Sequence, residues 1–441
     1  MSAAKPRLLY ANRSQGEFRD ESLENLLPSE HPARDVWQFV ETLDLSPLLA
    51  EIRSVPGHAG APAIDPKILM ALWLYATING VGSSRALAEL CENHLAYRWL
   101  CGGVPVCYHV LSDFRSRHTE VLNQLLTETT AVMMFEGLVE MQRVAQDGMR
   151  VRAAAGAASF RRPETIEKCL EVAKEQVEAL QSQSDEDAGA ASRREQAARK
   201  RAAADRVSRL QAAQRELAKL QEANAGRVPS RQVPPSELRA STTDPECRKM
   251  KMPDGGFRPG YNVQFATTTD SGVIVGVAVT NEGTDNEQMS PMLKQIEDRF
   301  GEAPKEMLVD GGFASLNAID EAERNGTTVY SPVKGAEKQK EEETGKDPYA
   351  RKRMDTEATA QWRARMATEE AKTIYKQRAS TAEWVNAQTR NRDFYMVTVR
   401  GQKKVLAVAL WHALAHNFGR MKKLRAAVPG DTARRANESP A

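Results

Sequence analysis

The chain has 441 residues, of which 41% are hydrophobic and 27% are charged, and its formal net charge is +2. A chain of this length can bury a large core and is expected to form about two to four domains. The nearly neutral total gives no evidence about nucleic-acid binding, which can then depend only on local basic patches. The longest apolar run, Ile68 to Ile78, is too short to cross a bilayer and excludes a membrane-spanning protein at this stage.

The number and spacing of the cysteines indicate the redox state of the cellular compartment. The five cysteines are odd in number and form no CxxC pair, which fits a reducing cytoplasm and disfavours a structural zinc site. The N-terminus also lacks the apolar stretch of a signal peptide. We therefore expect a soluble, cytoplasmic protein.

The first elements in the chain are helical. Residues 1–60 are predicted to form an N-terminal arm with short helices, and residues 61–130 a compact helical domain. Asp65-Pro66 provides an N-cap and an N1 proline for a buried helix that stops at Asn79-Gly80.

Two later helices of this domain are spaced like a helix-turn-helix array. The first covers Arg85 to Glu92 and the second covers about Tyr108 to His118. Arg115 and Arg117 on the second helix are predicted to contact phosphates. The alternative is a solvated face on an ordinary helical bundle.

Residues 163–240 differ in composition, because Glu, Lys, Arg, Gln and Ala dominate and aromatic residues are almost absent. Leucine, valine and alanine repeat at coiled-coil spacing in two stretches, which are separated by a Ser, Asp, Gly and Ala segment. We interpret this region as a coiled helical insertion folded as a hairpin.

Sheet-like sequence surrounds the insertion. Residues 131–162 and 241–425 are predicted to form one α/β catalytic domain, a mixed sheet with flanking helices, and residues 426–441 a disordered tail. The β-branched runs Tyr261 to Ala266 and Gly272 to Val279 are joined by a hairpin signal. The last helix, about Lys403 to Leu424, presents an apolar surface that is expected to pack on the sheet.

Three acidic residues suit metal chemistry. Asp147 and Asp310 each follow a strand-like run and precede glycine, which leaves room beside the carboxylate, and Glu383 lies in a predicted helix. Mg²⁺ prefers oxygen ligands, and three carboxylates can hold a metal pair that activates an attacking oxygen and stabilises a leaving oxygen. The alternative is that these acids are ordinary surface or turn residues.

Three other sequence patterns bear on function: a histidine pair, phosphate-loop motifs and a tyrosine. His412 and His416 have i, i+4 spacing but lack the glutamate of a zincin helix, so packing is favoured over metal binding. No Walker-type phosphate loop is present, and no nucleotide is expected. Tyr375 has no activating group nearby in sequence, which favours a positioning role over a covalent one.

The three acidic motifs resemble those of DDE insertion-sequence transposases, and most closely the eleven-eighty-two group of the IS-five/IS-four-like superfamily. The last motif of that superfamily couples Tyr, Arg, Glu and a basic residue, here Tyr375, Arg378, Glu383 and Arg390. The usual pattern has three residues between Arg and Glu and ends in Lys, whereas this chain has four and ends in Arg.

The resemblance implies a ribonuclease-H-like catalytic domain that cuts and joins element-end DNA with Mg²⁺ or Mn²⁺, as two ions. Asp147, Asp310 and Glu383 would be the catalytic metal ligands. Tyr375 would have a positioning role at the DNA, and Arg378 and Arg390 would contact DNA phosphates or support Glu383, the alternative for both arginines being a structural salt bridge.

The resemblance also implies partners and place. DNA, as terminal inverted repeats and target, would be bound by a homo-oligomer without a membrane, and the protein would associate with the nucleoid when bound. Two alternatives remain: an inactive or domesticated DNA-binding copy that recognises the repeats, and a coiled-coil assembly factor. The second explains residues 163–240 but not the three acids.

Overall fold

The computed structural model describes residues 22–55, 61–182, 190–336 and 347–428. The first part of the predicted N-terminal arm and most of the predicted tail lie outside the described residues. No helix in these four ranges is long and apolar enough to cross a membrane.

Helices precede the first strand in the described chain, as the sequence predicts. They are α1 (Pro32–Glu41), α2 (Ser46–Ala50), α3 (Pro66–Ile78), α4 (Ser84–Asn93), α5 (Leu95–Cys101), α6 (Tyr108–Arg117) and α7 (Thr119–Phe135).

Helix α3 begins and ends where its sequence predicts. The Asp65 carboxylate accepts a hydrogen bond from the backbone N–H of Lys67 at 2.8 Å, and Pro66 occupies the first turn. At the other end Asn79 caps the helix, and Gly80 adopts a φ of 72°, a left-handed conformation that glycine adopts without strain. Nearly every residue between these ends is buried, so α3 is a core helix.

A mixed sheet forms the centre of the molecule. Its strands are β1 (Arg143–Arg152), β4 (Arg248–Lys251), β5 (Phe257–Thr268), β6 (Ile274–Thr280), β7 (Glu306–Leu308) and β8 (Thr328–Tyr330), while β2 (Phe160–Arg161) and β3 (Ala240–Ser241) pair separately.

The strand order is β4-β5-β1-β7-β8, with β6 also paired to β5. β1 runs antiparallel to β5 and parallel to β7, and β7 runs parallel to β8. The predicted hairpin is present between β5 and β6, and Gly272 in its turn has a φ of 66°. The predicted α/β class with a mixed sheet is therefore confirmed.

Helices from the second half of the chain cover the sheet. They are α10 (Met289–Phe300), α11 (Leu316–Arg324), α12 (Glu357–Ala367), α13 (Glu369–Arg378), α14 (Trp384–Asn391) and α15 (Gln402–Ala427). Between α13 and α14 the chain forms one π-helical turn, Ala379–Glu383. The predicted helix from Glu369 to Arg390 is thus continuous in path but changes its hydrogen-bond pattern midway.

The region of unusual composition forms two helices, α8 (Pro163–Ser182) and α9 (Ala190–Ala225). They pack through a small core of their own, to which α8 contributes Ile166, Leu170 and Ala173, and α9 contributes Leu210, Ala213 and Leu217. The predicted helical hairpin is therefore present.

Helix α15 is more deeply buried than its sequence suggests. The prediction gave it one apolar surface against the sheet, but α15 packs against the sheet strand β6 and also against α3, α6 and α7. His412 stacks on Phe394 with ring centroids 4.3 Å apart, and His416 contacts the carbonyl oxygen of Gly272 at 2.8 Å. The predicted packing role of the two histidines is confirmed.

Candidate active site

Asp147 lies within β1, not at the end of a strand as its sequence context predicts. The strand continues for five residues to Arg152, because β5 pairs with it along this whole length. Successive side chains of a strand point to opposite faces, so Asp147 and Gly148 face opposite sides of the sheet. The carboxylate of Asp147 accepts a hydrogen bond from Nδ2 of Asn386 on α14 at 2.9 Å.

Asp310 follows β7, the parallel neighbour of β1. Its Oδ1 accepts a hydrogen bond from the backbone N–H of Gly312 at 2.7 Å. A Cβ at position 312 would lie 2.9 Å from that oxygen, which real Cβ contacts do not tolerate. Glycine at this position therefore permits the tight turn that holds Asp310 at the sheet edge.

Arg378 at the end of α13 lies between the two aspartates. Its Nη1 is 3.9 Å from Oδ2 of Asp147, and its Nη2 is 3.9 Å from Oδ2 of Asp310. Its Nε contacts the hydroxyl oxygen of Tyr375 at 3.3 Å. One guanidinium thus faces two carboxylates that are far apart in sequence, and the tyrosine fixes its orientation.

The electrostatics of this group reflect burial in competition with charge. Burial raises the pKa of Asp147 above its ordinary value, and the positive charge of Arg378 opposes that shift. Burial lowers the pKa of Arg378, but the hydrogen bond with Tyr375 and the two aspartates more than compensate and leave it raised. Burial also raises the pKa of Tyr375, so its hydroxyl stays protonated at neutral pH.

Glu383 is exposed and stands outside this pair. It is the last residue of the π-helical turn, and Asn386, whose amide contacts Asp147, follows three residues later. Side chains three apart on a helix lie on one face, with Cβ atoms about 5–6 Å from each other. Glu383 therefore precedes by about one helical turn the residue that contacts Asp147, while its own side chain is exposed.

The π-helical turn explains the unusual spacing of the last motif. Four residues separate Arg378 from Glu383, and this extra residue falls within Ala379–Glu383. A π turn contains one residue more than an α turn and is common at functional sites. The helix accommodates one additional residue between Arg378 and Glu383 within this turn and continues as α14.

The remaining predicted contact residues divide by exposure. Arg390 on α14 and Arg117 on α6 are exposed, as a phosphate contact requires. Arg115 is only 6% exposed and lies over the ring of Trp73, 4.9 Å from its centroid. Its guanidinium donates to the carbonyl of Gly82 and to Oγ1 of Thr398, and burial lowers its pKa to about 10. The predicted phosphate contact of Arg115 is corrected to a structural role.

The sequence prediction missed two features of the site. Asn386 could have been found only from its position one helical turn after Glu383. Behind Asp147, on the other face of the sheet, Asp285 accepts hydrogen bonds from Asn262 at 2.7 Å and Gln264 at 2.8 Å. A Cβ at Gly148 would lie 2.1 Å from Oδ1 of Asp285, so this glycine is required by the close approach of a buried carboxylate.

The donor set fits a divalent ion in part. Asp147 and Asp310 place carboxylates on both sides of the Arg378 guanidinium. Mg²⁺ is commonly held by one or two carboxylates together with substrate phosphates. Within the described ranges, no three His, Cys, Asp or Glu residues are grouped closely enough to hold a metal ion. Two carboxylates are thus present here, and a divalent ion would need further oxygen ligands from elsewhere.

Comparison with known families gives two matches. A family model described as "Transposase domain (DUF772)" matches residues 21–117, and one described as "Transposase DDE domain" matches residues 234–418. Over these two ranges the chain is similar to transposase domains. Together they support an insertion-sequence DDE transposase, a DNA-acting enzyme of a family that generally uses divalent metal ions.

The matched ranges also divide the site. The transposase DDE match includes Asp310, Arg378 and Glu383, whereas Asp147 falls between the two matches. The mixed sheet, together with the transposase DDE match, is consistent with a ribonuclease-H-like fold. No curated protein and no solved structure shows a significant match to the chain.

Proposed function

We propose that this transposase cuts and joins insertion-sequence ends by phosphodiester hydrolysis followed by transesterification. The observation that carries the proposal is the convergence of Asp147 and Asp310 on the guanidinium of Arg378. Two carboxylates that lie far apart in sequence, one on β1 and one after β7, meet around a cation that is only 13% exposed. The ribonuclease-H-like fold and the eleven-eighty-two group are part of the same proposal.

In this proposal Asp147 and Asp310 hold Mg²⁺ or Mn²⁺, and Glu383 is the third carboxylate. The bound ions would activate the attacking oxygen and stabilise the leaving oxygen. Glu383 qualifies because it shares a helix face with Asn386, which contacts Asp147.

The protein's own residues would bind and orient the DNA. Arg378 is held by Tyr375 at the site, and a planar guanidinium suits phosphate oxygens. Arg390 and Arg117 are exposed and would contact phosphates farther along the duplex. The proposed partners are terminal inverted repeats and target DNA. A homo-oligomer would bind them in the transposition complex, and the DNA-bound protein would be associated with the nucleoid.

The test is a cleavage and strand-transfer assay on labelled DNA that carries the element ends, with and without Mg²⁺. Asp147→Asn and Asp310→Asn should each lower the rate by at least about 100-fold, because each removes a ligand charge. Asp205→Asn is the matched control, since Asp205 is an exposed acid on α9. Normal joining by either site variant would reject the assignment.

The exposure of Glu383 favours a second candidate, a catalytically inactive protein that only binds the terminal repeats. The same assay separates the two functions. A wild-type protein that binds the ends specifically but neither cuts nor joins them with Mg²⁺ or Mn²⁺ would support the binding function instead.

A further inference from the structure

Asn386 is a buried amide at the centre of the candidate site. It is 5% exposed, and its Nδ2 donates to Oδ2 of Asp147 at 2.9 Å. A carboxylate can only accept hydrogen bonds here, so the NH₂ group must face Asp147 and the amide orientation is fixed. The same oxygen of Asp147 lies 3.9 Å from Arg378. This oxygen therefore accepts a hydrogen bond from Asn386 and faces the positive charge of Arg378.

The other end of this amide is unpartnered. Oδ1 of Asn386 is buried and has no hydrogen-bond partner in the described structure. Leaving a buried acceptor unsatisfied costs about 1–3 kcal/mol, and an apolar side chain of similar size would avoid that cost. Packing and stability therefore do not account for an asparagine at this position, whereas its contact with Asp147 does.

The position of Asn386 in the chain gives the contact a second consequence. Asn386 lies one turn after Glu383, directly beyond the π-helical turn. Its hydrogen bond joins α14 to β1 at Asp147. The hydrogen bond that orients Asp147 therefore also sets the distance between β1 and the helix face that carries Glu383.

We propose that Asn386 is a positioning residue of the transposase, which fixes the carboxylate of Asp147 and docks the Glu383 helix face against β1. The inference rests on the proposed function, because it assigns Asn386 to the same catalytic group. Asn386 acts through Asp147 and contacts neither DNA nor the reacting phosphate. Its loss should therefore affect the chemical step and metal binding, with DNA binding unchanged.

Asn386→Leu tests this in the full-length protein, since leucine fills the space without a donor. We expect kcat for end cleavage to fall about 10–100-fold, the usual loss when a residue that orients a metal ligand is removed. KM for DNA should change less than about twofold, and Mn²⁺ binding measured by calorimetry without DNA should weaken about 10-fold. The urea midpoint should change little, because removal of the unsatisfied oxygen offsets the hydrogen bond that Asp147 loses.

Asn391→Leu is the matched control, because Asn391 is exposed at the end of the same helix. It should leave kcat, KM and Mn²⁺ binding unchanged. Asn386→Asp is a second variant of equal size that removes the donor and sets two carboxylates against each other, so its kcat should fall at least as far.

The outcomes are distinguishable. Wild-type kcat and Mn²⁺ binding in both Asn386 variants would overturn the positioning role while leaving the proposed function intact. Loss of DNA affinity in parallel with kcat would overturn it in favour of a contact with DNA. A wild-type protein without cleavage or joining activity would instead reject the proposed function itself.

Discussion

Arg378 defines the character of the site at the scale of single residues. It is shared by two aspartates at 3.9 Å, beyond the distance of a hydrogen bond, and its Nη1 is buried without a hydrogen-bond partner. The guanidinium therefore reduces the repulsion between the carboxylates without occupying their lone pairs. Both aspartates remain available to other cations and donors, as the proposed metal ligation requires.

The buried histidines of α15 lead to a prediction about acid stability. Burial, together with the charges of the nearby Arg392 and Arg115, lowers the pKa of His412 to about 3. The folded protein keeps this imidazole neutral, whereas the unfolded chain takes up a proton as pH falls below about 6.5. The unfolded state then binds more protons, so the free energy of unfolding decreases as pH falls from about 6.5 towards 3.

His412→Leu should remove this contribution, while that of His416, whose pKa burial lowers to about 4, remains. Between pH 7 and pH 5 the wild-type protein should lose about 2 kcal/mol more of its free energy of unfolding than the variant. Urea denaturation at the two pH values measures the difference. His109→Leu, at an exposed position on α6, is the control and should behave as the wild-type protein does. An equal loss in wild type and His412→Leu would contradict the prediction.

At the scale of elements, the π-helical turn Ala379–Glu383 determines where the last motif points. It absorbs one residue between Arg378 and Glu383, and the helix continues regularly in α14. Each residue added to or removed from a regular α-helix turns the following part by about 100°. At a π turn the removal of one residue has the opposite result, because it restores a regular helix with its direction kept.

Deleting Ser380, an exposed residue of this turn, should therefore be tolerated. The deletion leaves three residues between Arg378 and Glu383, and we expect end cleavage within about 10-fold of wild type. Inserting one alanine at the same place is the matched change in the other direction. It should turn α14 away from Asp147 and reduce cleavage by at least about 100-fold. Equal losses in both variants would show that the turn does not preserve the helix direction.

At the scale of the whole molecule, α15 joins the N-terminal helices to the sheet. Trp411 is 1% exposed, donates from Nε1 to the carbonyl of Arg115 at 3.0 Å, and belongs to one apolar cluster that includes residues of α3 and β5. The predicted domain boundary at residue 130 therefore crosses a continuous core. The N-terminal helices and the sheet are expected to unfold together.

Trp411→Ala tests this coupling. It should lower the free energy of unfolding by about 3–5 kcal/mol, as large-to-small changes of buried aromatic residues do. Hydrogen exchange should show protection lost in α3 and in β5 alike. Tyr395→Ala, at a position 51% exposed, should change the free energy of unfolding by less than about 1 kcal/mol. Loss of protection in only one of the two elements would mean that they unfold independently.

Local sequence patterns are sufficient to predict several elements of this protein. Asp65-Pro66 and Asn79-Gly80 give the limits of α3, and the β-branched runs around Gly272 give the β5–β6 hairpin, because caps, turns and periodicity act over a few residues. The pattern of acids before glycine selected Asp147 and Asp310, and the structure brings these two together around Arg378.

The contacts between these elements are visible only in the tertiary structure. The sequence predicts that Arg115 is an exposed basic residue, but it is buried against Trp73. The sequence also predicts that Asp147 ends a strand, but it lies within β1 because β5 extends the pairing. The only local signal for Asn386 is its position one helical turn after Glu383, and its contact with Asp147 comes from the tertiary structure. Burial and hydrogen-bond partners depend on segments hundreds of residues apart, and no local pattern in the chain carries that information.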